Sequence, residues 1–325
     1  MDQQAPTTEL PRGLIVELPT SLDKAGRPDQ EALGRLLDYL APFAEGLFLF
    51  GPEVGLGPDL TPEVRAELLR FVAPRTSLPL LVFITVQDRK RTESCLEAVS
   101  SAIDPARLIL VDAPLYVRSN RELIHWIGYL SESHPGPVVL YNHPRLMDRL
   151  ATRTKRRNIR TAILKRLTQE LPGPAGLIFQ GDFKRLLNYH QAVRSRPFFR
   201  IYDASELRFL DRPSTFGVVS TGANLLPAAW SRLVRAALRQ EQPGSLAELL
   251  ACGRALRALA LRTRGRARDF ILAGLAGLGL VPGDPLSPGP EPDQVLAFLE
   301  KQGLRKWGLL NQGSASARSG TRGSD

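Results

Sequence analysis

Short apolar runs alternate along the chain with segments whose apolar residues recur at helical spacing. The runs are Leu14–Leu18, Gly46–Phe50, Leu78–Val86, Leu108–Val111, Val138–Tyr141, Gly176–Phe179, Phe198–Tyr202 and Phe216–Ser220. They are rich in Val, Ile, Leu and Phe and lack a clear two-residue alternation, as expected of strands buried on both faces. Helices are predicted between them. Asp29–Leu40 brings Leu33, Leu36, Leu37 and Leu40 onto one face. Thr61–Val72 opens with Thr-Pro-Glu, a threonine N-cap followed by proline in the first turn. Ser119–Ser131 opens Ser-Asn-Arg-Glu, with capping-box spacing. Arg91–Ile103, Asn158–Glu170, Asp182–Arg194 and Leu225–Arg239 complete the set.

Eight strand–helix units in about 240 residues predict an α/β fold, a (β/α)8 TIM barrel, with a doubly wound open sheet as the alternative. Beyond Arg239 the pattern is purely helical, over Leu246–Arg262, Ala267–Leu278 and Asp293–Gln302. The expected organisation is therefore a flexible N-terminus over 1–11, a barrel over 12–240 and a C-terminal helical extension over 241–303. The Ser/Gly/Arg-rich residues of 304–325 read as a disordered tail.

Charge refines this picture. Lys and Arg total 43 against 33 Asp and Glu, a net +10, but only seven of the 43 are lysine. A basic balance admits nucleic-acid binding, yet the arginines are spread along amphipathic helices, including the run Arg254–Arg268, and a solvated face accounts for them. No nucleic-acid partner is expected. Two distant cysteines, Cys95 and Cys252, predict neither a disulfide framework nor a zinc site. No apolar stretch is long enough to span a bilayer and the N-terminus does not read as a secretory signal, so a cytoplasmic protein without membrane contact is expected.

In such a barrel the chemistry lies at the carboxyl ends of the strands. That places Glu17, Glu53, Asp88, Asp112, Tyr116, Tyr141 to His143, the stretch after Phe179, Asp203, and Ser220 to Asn224 near the mouth. Glu53, Asp112, His143 and Asp203 could converge on a divalent metal. Their spacing matches no metal motif, and helix capping or pairing with arginines is the favoured reading; no metal and no cofactor are expected.

Six motifs in order resemble the dihydrodipicolinate synthase and N-acetylneuraminate lyase family of class I aldolases. They are GLIVELPTSLDKAGRPDQEALGRLLDYL, GPEVGLGPDLTPEVRAELL, DAPLYVRSNREL, VVLYNHP, FGVVSTGANLLP and LGLVPGDPLSPGPEP, running from about residue 12 to 303. The resemblance implies a Schiff base between a strand-six lysine and a 2-oxo acid, in which the iminium serves as electron sink. It also implies a tyrosine proton relay and a loop whose backbone amides hold the substrate carboxylate.

Carried over by residue, the resemblance gives Tyr141 and Tyr116 as the catalytic tyrosines. It gives Glu53, Val54, Asn142, Arg145, Ile178, Gly181, Ser220 and Asn224 as substrate-contacting positions. The chain departs from the pattern at two places. The family's Gly-Thr-Thr-Gly-Glu loop reads Pro52-Glu53-Val54-Gly55-Leu56, which sets Glu53 where a substrate carboxylate would sit. The lysine position of strand six holds Ile178, and no lysine lies between Lys165 and Lys184. Isoleucine is no nucleophile, so Schiff-base aldol chemistry is not expected. The reading is a diverged member that binds a small oxo acid or sugar acid at the barrel mouth, with lyase-type or proton-transfer chemistry at Tyr141. The alternative is a non-catalytic barrel acting as a ligand-binding or regulatory subunit. A homo-oligomer, dimer or tetramer, is implied in either case. The 31 residues between Pro144 and Gly176 include a basic stretch, 145–157, read either as an anion-attracting lid or as a solvated loop.

Overall fold

The computed structural model describes residues 9–23, 27–148, 157–241, 245–282 and 289–309. Eight parallel strands close into a barrel in sequence order. They are β1 (Gly13–Glu17), β2 (Gly46–Leu49), β3 (Leu80–Phe83), β4 (Leu108–Asp112), β5 (Val138–Asn142), β6 (Pro174–Phe179), β7 (Arg200–Asp203) and β8 (Gly217–Ser220). Closure is made by β1 against β8, with Gly13 opposite Gly217 and Val16 opposite Ser220. A Cβ at Gly217 would lie 2.2 Å from the Gly13 carbonyl oxygen, so the seam requires glycine there.

Around the barrel run α1 (Gln30–Leu40), α2 (Pro62–Val72), α3 (Arg89–Ala102), α4 (Leu123–Ser133), α5 (Pro144–Asp148), α6 (Thr161–Glu170), α7 (Phe183–Val193), α8 (Glu206–Asp211) and α9 (Pro227–Ala237). The extension adds α10 (Leu246–Thr263), α11 (Ala267–Gly277) and α12 (Pro292–Lys301). The cap expected at Thr61 is present, and Asp29, Asp88 and Asp182 likewise accept a backbone N–H in the first turn of α1, α3 and α7.

Three helices differ from expectation, the first being the short α5, Pro144–Asp148, at the start of the stretch read as a loop. The capping-box spacing at Ser119 closes a turn, with the Glu122 carboxylate accepting from both the backbone N–H and the hydroxyl of Ser119. The helix starts only afterwards, at Leu123. The segment after β7, where sequence periodicity shows no helix, carries the six-residue α8. Residues 149–156, most of the basic stretch, lie outside the described residues, as do those from 310 onward. Leu304, assigned by sequence to the tail, is buried.

Side-chain direction inside the barrel follows from the two-residue period of the strands. Phe179 packs edge-on against Tyr189 of α7, with ring centroids 5.3 Å apart, and carries the Arg208 guanidinium over its face. It therefore points outward into the helical layer, and its neighbour Ile178 points into the barrel. Ile178 is fully buried and sits in register with Tyr141 of β5 and Tyr202 of β7. The rings of Phe48, Phe83 and Tyr141 meet edge to face, with centroids 6.0–6.4 Å apart, and fill the interior from β2, β3 and β5.

Beside the barrel, Arg65 of α2 is wholly buried. It donates to the carbonyls of Gly57, Leu60, Phe83 and Thr85, which ties the loop after β2 to the end of β3.

Candidate functional site

The barrel mouth opens into a cleft of about 210 Å³. Glu17 from the end of β1, Glu53 from the loop after β2 and Tyr141 from β5 line it. So do Arg145 from α5, Glu206 from α8 and Thr221 from the turn after β8. The turn between α10 and α11, Arg264-Gly265-Arg266, closes one side; Gly265 adopts φ 78° there, a conformation that favours glycine. A second cleft of about 380 Å³ shares Glu53, Arg145 and Gly265 and adds His143 and Arg266. Arg145, Arg264 and Arg266 are exposed, so cations ring the opening while acids lie below.

The acids are held in different states. Glu17 is 1% exposed, and its Oε1 accepts from the backbone N–H groups of Glu53 at 2.7 Å and Val54 at 2.9 Å. Burial, reinforced by the nearby Glu53 charge, pushes its pKa up to about 8 despite those hydrogen bonds, so Glu17 is protonated at neutral pH. For Glu53, burial pushes the pKa upward, but His143, Gln180 and Arg145 together outweigh it and hold the group at about 2. Glu53 Oε1 lies 2.9 Å from His143 Nε2 and accepts from Gln180 Nε2 at 3.3 Å. The other ring nitrogen, His143 Nδ1, accepts the backbone N–H of Leu146, so the Nε2 hydrogen points at the Glu53 carboxylate. Glu206 accepts from the Ser220 hydroxyl at 2.6 Å and the Gly222 N–H at 2.7 Å, and burial raises its pKa. Two neighbouring carboxyls whose environments drive their pKa values apart are the arrangement that supplies a proton donor beside a fixed anion.

Tyr141 lines this cleft but is 2% exposed. Burial, then the charges of Glu17 and Glu53, raises its phenol far above the ordinary value, so it is a phenol and not a phenolate. Ile178 lies beside it in register, fully buried and outside the residues that line the cleft. Lys165 and Lys184 are exposed on α6 and α7, and every other described lysine is also exposed.

Several residues expected at the site do other work. Asn142 is held on both sides: its Nδ2 donates to Asn158 Oδ1 and the Gln180 carbonyl, and its Oδ1 accepts from the Ile159 N–H, while the Tyr189 hydroxyl beside it donates to the Ile159 carbonyl. It pins the loop before α6 to β5, with both amide hydrogens committed within the protein. The Gly181 carbonyl accepts from Arg208. Ser220 is buried beneath Glu206, and Asn224 donates to the Glu17 carbonyl at 2.8 Å. Tyr116 is half-buried on the turn Pro114–Tyr116, outside the residues lining the cleft. Val54 contributes its N–H rather than its side chain. Glu53 was expected to occupy the carboxylate position on its loop; its carboxylate turns instead to His143, and Glu17 takes the loop amides.

The acids weighed as metal ligands are dispersed. Asp112 accepts from Thr85 at 2.5 Å and from the Trp126 indole at 2.7 Å, and Asp203 is clamped by Arg208. Among the described residues no group of three or more His, Cys, Asp or Glu is placed to hold a metal ion. Cys95 and Cys252 are buried free thiols. Among the described residues no helix is long and apolar enough to cross a membrane. Glu206 and Arg264 were not among the strand-end residues picked from sequence, and Gln180 was included only within the stretch after Phe179. Glu206 lies on the unpredicted α8, Gln180 immediately follows β6, and Arg264 belongs to a helical extension without strand ends to flag it.

The fold is a (β/α)8 barrel with C-terminal helices, and its mouth carries carboxyls and arginines. The chain is similar in sequence to 4-hydroxy-tetrahydrodipicolinate synthases and shares the fold of solved dihydrodipicolinate synthases. It is 26% identical over 236 residues to a 4-hydroxy-tetrahydrodipicolinate synthase of Protochlamydia amoebophila, covering 70% of this chain and 74% of that one. It is 29% identical over 232 residues to the synthase of Xylella fastidiosa, covering 68% and 71%. Among solved structures it resembles a prophage protein of the dihydrodipicolinic acid synthase family from E. coli K12 in complex with pyruvate. That match has a TM-score of 0.72 and 19% identity, covering 92% of this chain and 99% of the other. No family model matches the chain.

Proposed function

We propose that this chain binds a small oxo acid or sugar acid in the barrel-mouth cleft without forming a covalent bond to it, and that it does not run Schiff-base aldol chemistry. The observation that carries this reading is Ile178, buried and inward-facing beside Tyr141 where the family resemblance places the amine. Arginines at the rim supply a seat for the ligand's carboxylate. The protonated Glu17, the Tyr141 phenol and Thr221 offer uncharged hydrogen bonding to its hydroxyl or carbonyl oxygens.

Binding is favoured over turnover because a proton abstraction needs an unengaged base. Tyr141 and Glu17 hold their protons, and Glu53 and Glu206 are hydrogen-bonded within the protein. A second reading, proton donation by Tyr141 to a bound carbonyl, is supported by its place in the cleft wall. A thermal-shift panel of oxo acids and sugar acids separates the two. Stabilisation without turnover supports a binding or regulatory barrel. Turnover lost in Tyr141→Phe supports proton-transfer chemistry, and a panel with neither result defeats both. A homo-oligomer, dimer or tetramer, and a cytoplasmic location belong to the same proposal; sedimentation and cell fractionation test them.

A further inference from the structure

The floor of the cleft contains an anion-binding arrangement that is already filled. The loop Gly51–Gly55 is flanked by two residues held in left-handed conformations, Phe50 at φ 61° and Leu56 at φ 69°. Strained backbone of this kind persists only where its surroundings fix it. Within the loop, the consecutive N–H groups of Glu53 and Val54 converge on a single oxygen. Successive amides aimed at one point form a concavity suited to an anion's oxygen. Here that oxygen belongs to the chain itself, on the side chain of Glu17.

The fit depends on Gly51, where a Cβ would lie 2.4 Å from Glu17 Cδ and 2.5 Å from Oε1. A glycine at this point leaves the room that the carboxyl fills. Asn224 holds the Glu17 carbonyl at 2.8 Å, fixing the backbone from which the side chain projects.

We propose that Glu17 is an intramolecular ligand: its carboxyl occupies the cradle formed by the Glu53 and Val54 amides, closing the barrel floor to solute carboxylates. A ligand's anionic group is thereby confined to the rim, at Arg145 and Arg264. Glu17 is thus a specificity-determining residue. It selects acids whose charged end sits about one ligand length away from the oxygen that approaches Tyr141. This deepens the noncovalent binding reading above and rests on it for the ligand's orientation; the occupied cradle stands on its own geometry.

The test is chemical rescue. Glu17→Ala removes the carboxyl and leaves two buried N–H groups facing a carboxyl-sized space. Acetate and formate should then bind Glu17→Ala at least about tenfold more tightly than the wild type, the equivalent of one charged hydrogen bond. Melting temperature should rise with acetate concentration in Glu17→Ala, with chloride at equal ionic strength as control. The wild type and Glu17→Gln, which keeps an acceptor oxygen in the cradle, should not respond. If Glu17→Ala fails to fold, amide NMR of the wild type decides: the Glu53 and Val54 resonances must be insensitive to acetate. Their perturbation by acetate, or an equal response of wild type and Glu17→Ala, overturns the proposal. Failure of the noncovalent binding reading is recognised separately. In that case no oxo or sugar acid stabilises the wild type, while acetate still rescues Glu17→Ala.

Discussion

Glu17 makes the stability of this barrel depend on pH in a direction opposite to that of most carboxylates. Its pKa moves from an ordinary 4.5 to about 8 in the folded chain, chiefly because burial penalises the charge. Below pH 4.5 the group is protonated in both folded and unfolded chains, and its favourable contribution is fully present. Between 4.5 and 8 the unfolded chain releases the proton and the folded chain keeps it, so stability falls as pH rises. Above 8 both states are ionised and the contribution is gone. Each pH unit across that window is worth about 1.4 kcal/mol, so the full span corresponds to about 5 kcal/mol as an order of magnitude.

The perturbation is Glu17→Gln, which preserves shape and an acceptor for the two amides but cannot ionise. Urea unfolding of both proteins at a series of pH values from 5 to 9 gives the difference curve, in which all other titrating groups cancel. The wild type should lose about 1 kcal/mol or more per pH unit relative to Glu17→Gln between pH 5 and 8, and then level off. Parallel curves across that range would refute the placement of Glu17 as a buried, protonated acid.

Other consequences follow from particular contacts. In His143→Ala the burial of Glu53 loses its main opposition, so the Glu53 carboxyl should titrate by about one pH unit or more above its value near 2, read by carboxyl 13C NMR. Because that pKa is lowered in the fold, its stabilisation is present above 4.5 and is lost as pH falls through 2; His143→Ala should therefore unfold at a higher pH on acidification. Arg65→Ala leaves four carbonyls without their buried donor and should cost about 3–5 kcal/mol by chemical denaturation. Trp126→Phe removes the indole donor from the buried Asp112 and should cost about 1–3 kcal/mol; a loss below 0.5 kcal/mol would show that Thr85 alone satisfies the acid.

The barrel itself was legible because eight strands buried on both faces leave unbroken apolar runs, and each predicted strand overlaps an observed one. The run Gly176–Phe179 marked the sixth strand, and the family resemblance singled out Ile178 within it, which pairs in register with Tyr141. What escaped is set by partners distant in sequence. Asn142 resembles a substrate contact until Asn158, Ile159 and Gln180, 16 to 38 residues away, take both its amide hydrogens and a lone pair of its oxygen. The exchange of roles between Glu17 and Glu53 depends on a contact across 36 residues and on the space left by Gly51. The short α8 has a single buried side chain, Phe209, too few to set a helical period, and so Glu206 went unnoticed.

The central claim is that no amine reaches a bound 2-oxo acid in this barrel. Borohydride reduction in the presence of pyruvate, followed by mass spectrometry of the intact chain and its peptides, tests it directly. The account predicts an unmodified mass. A carboxyethyl adduct on any lysine would contradict it, and the modified residue would identify the nucleophile.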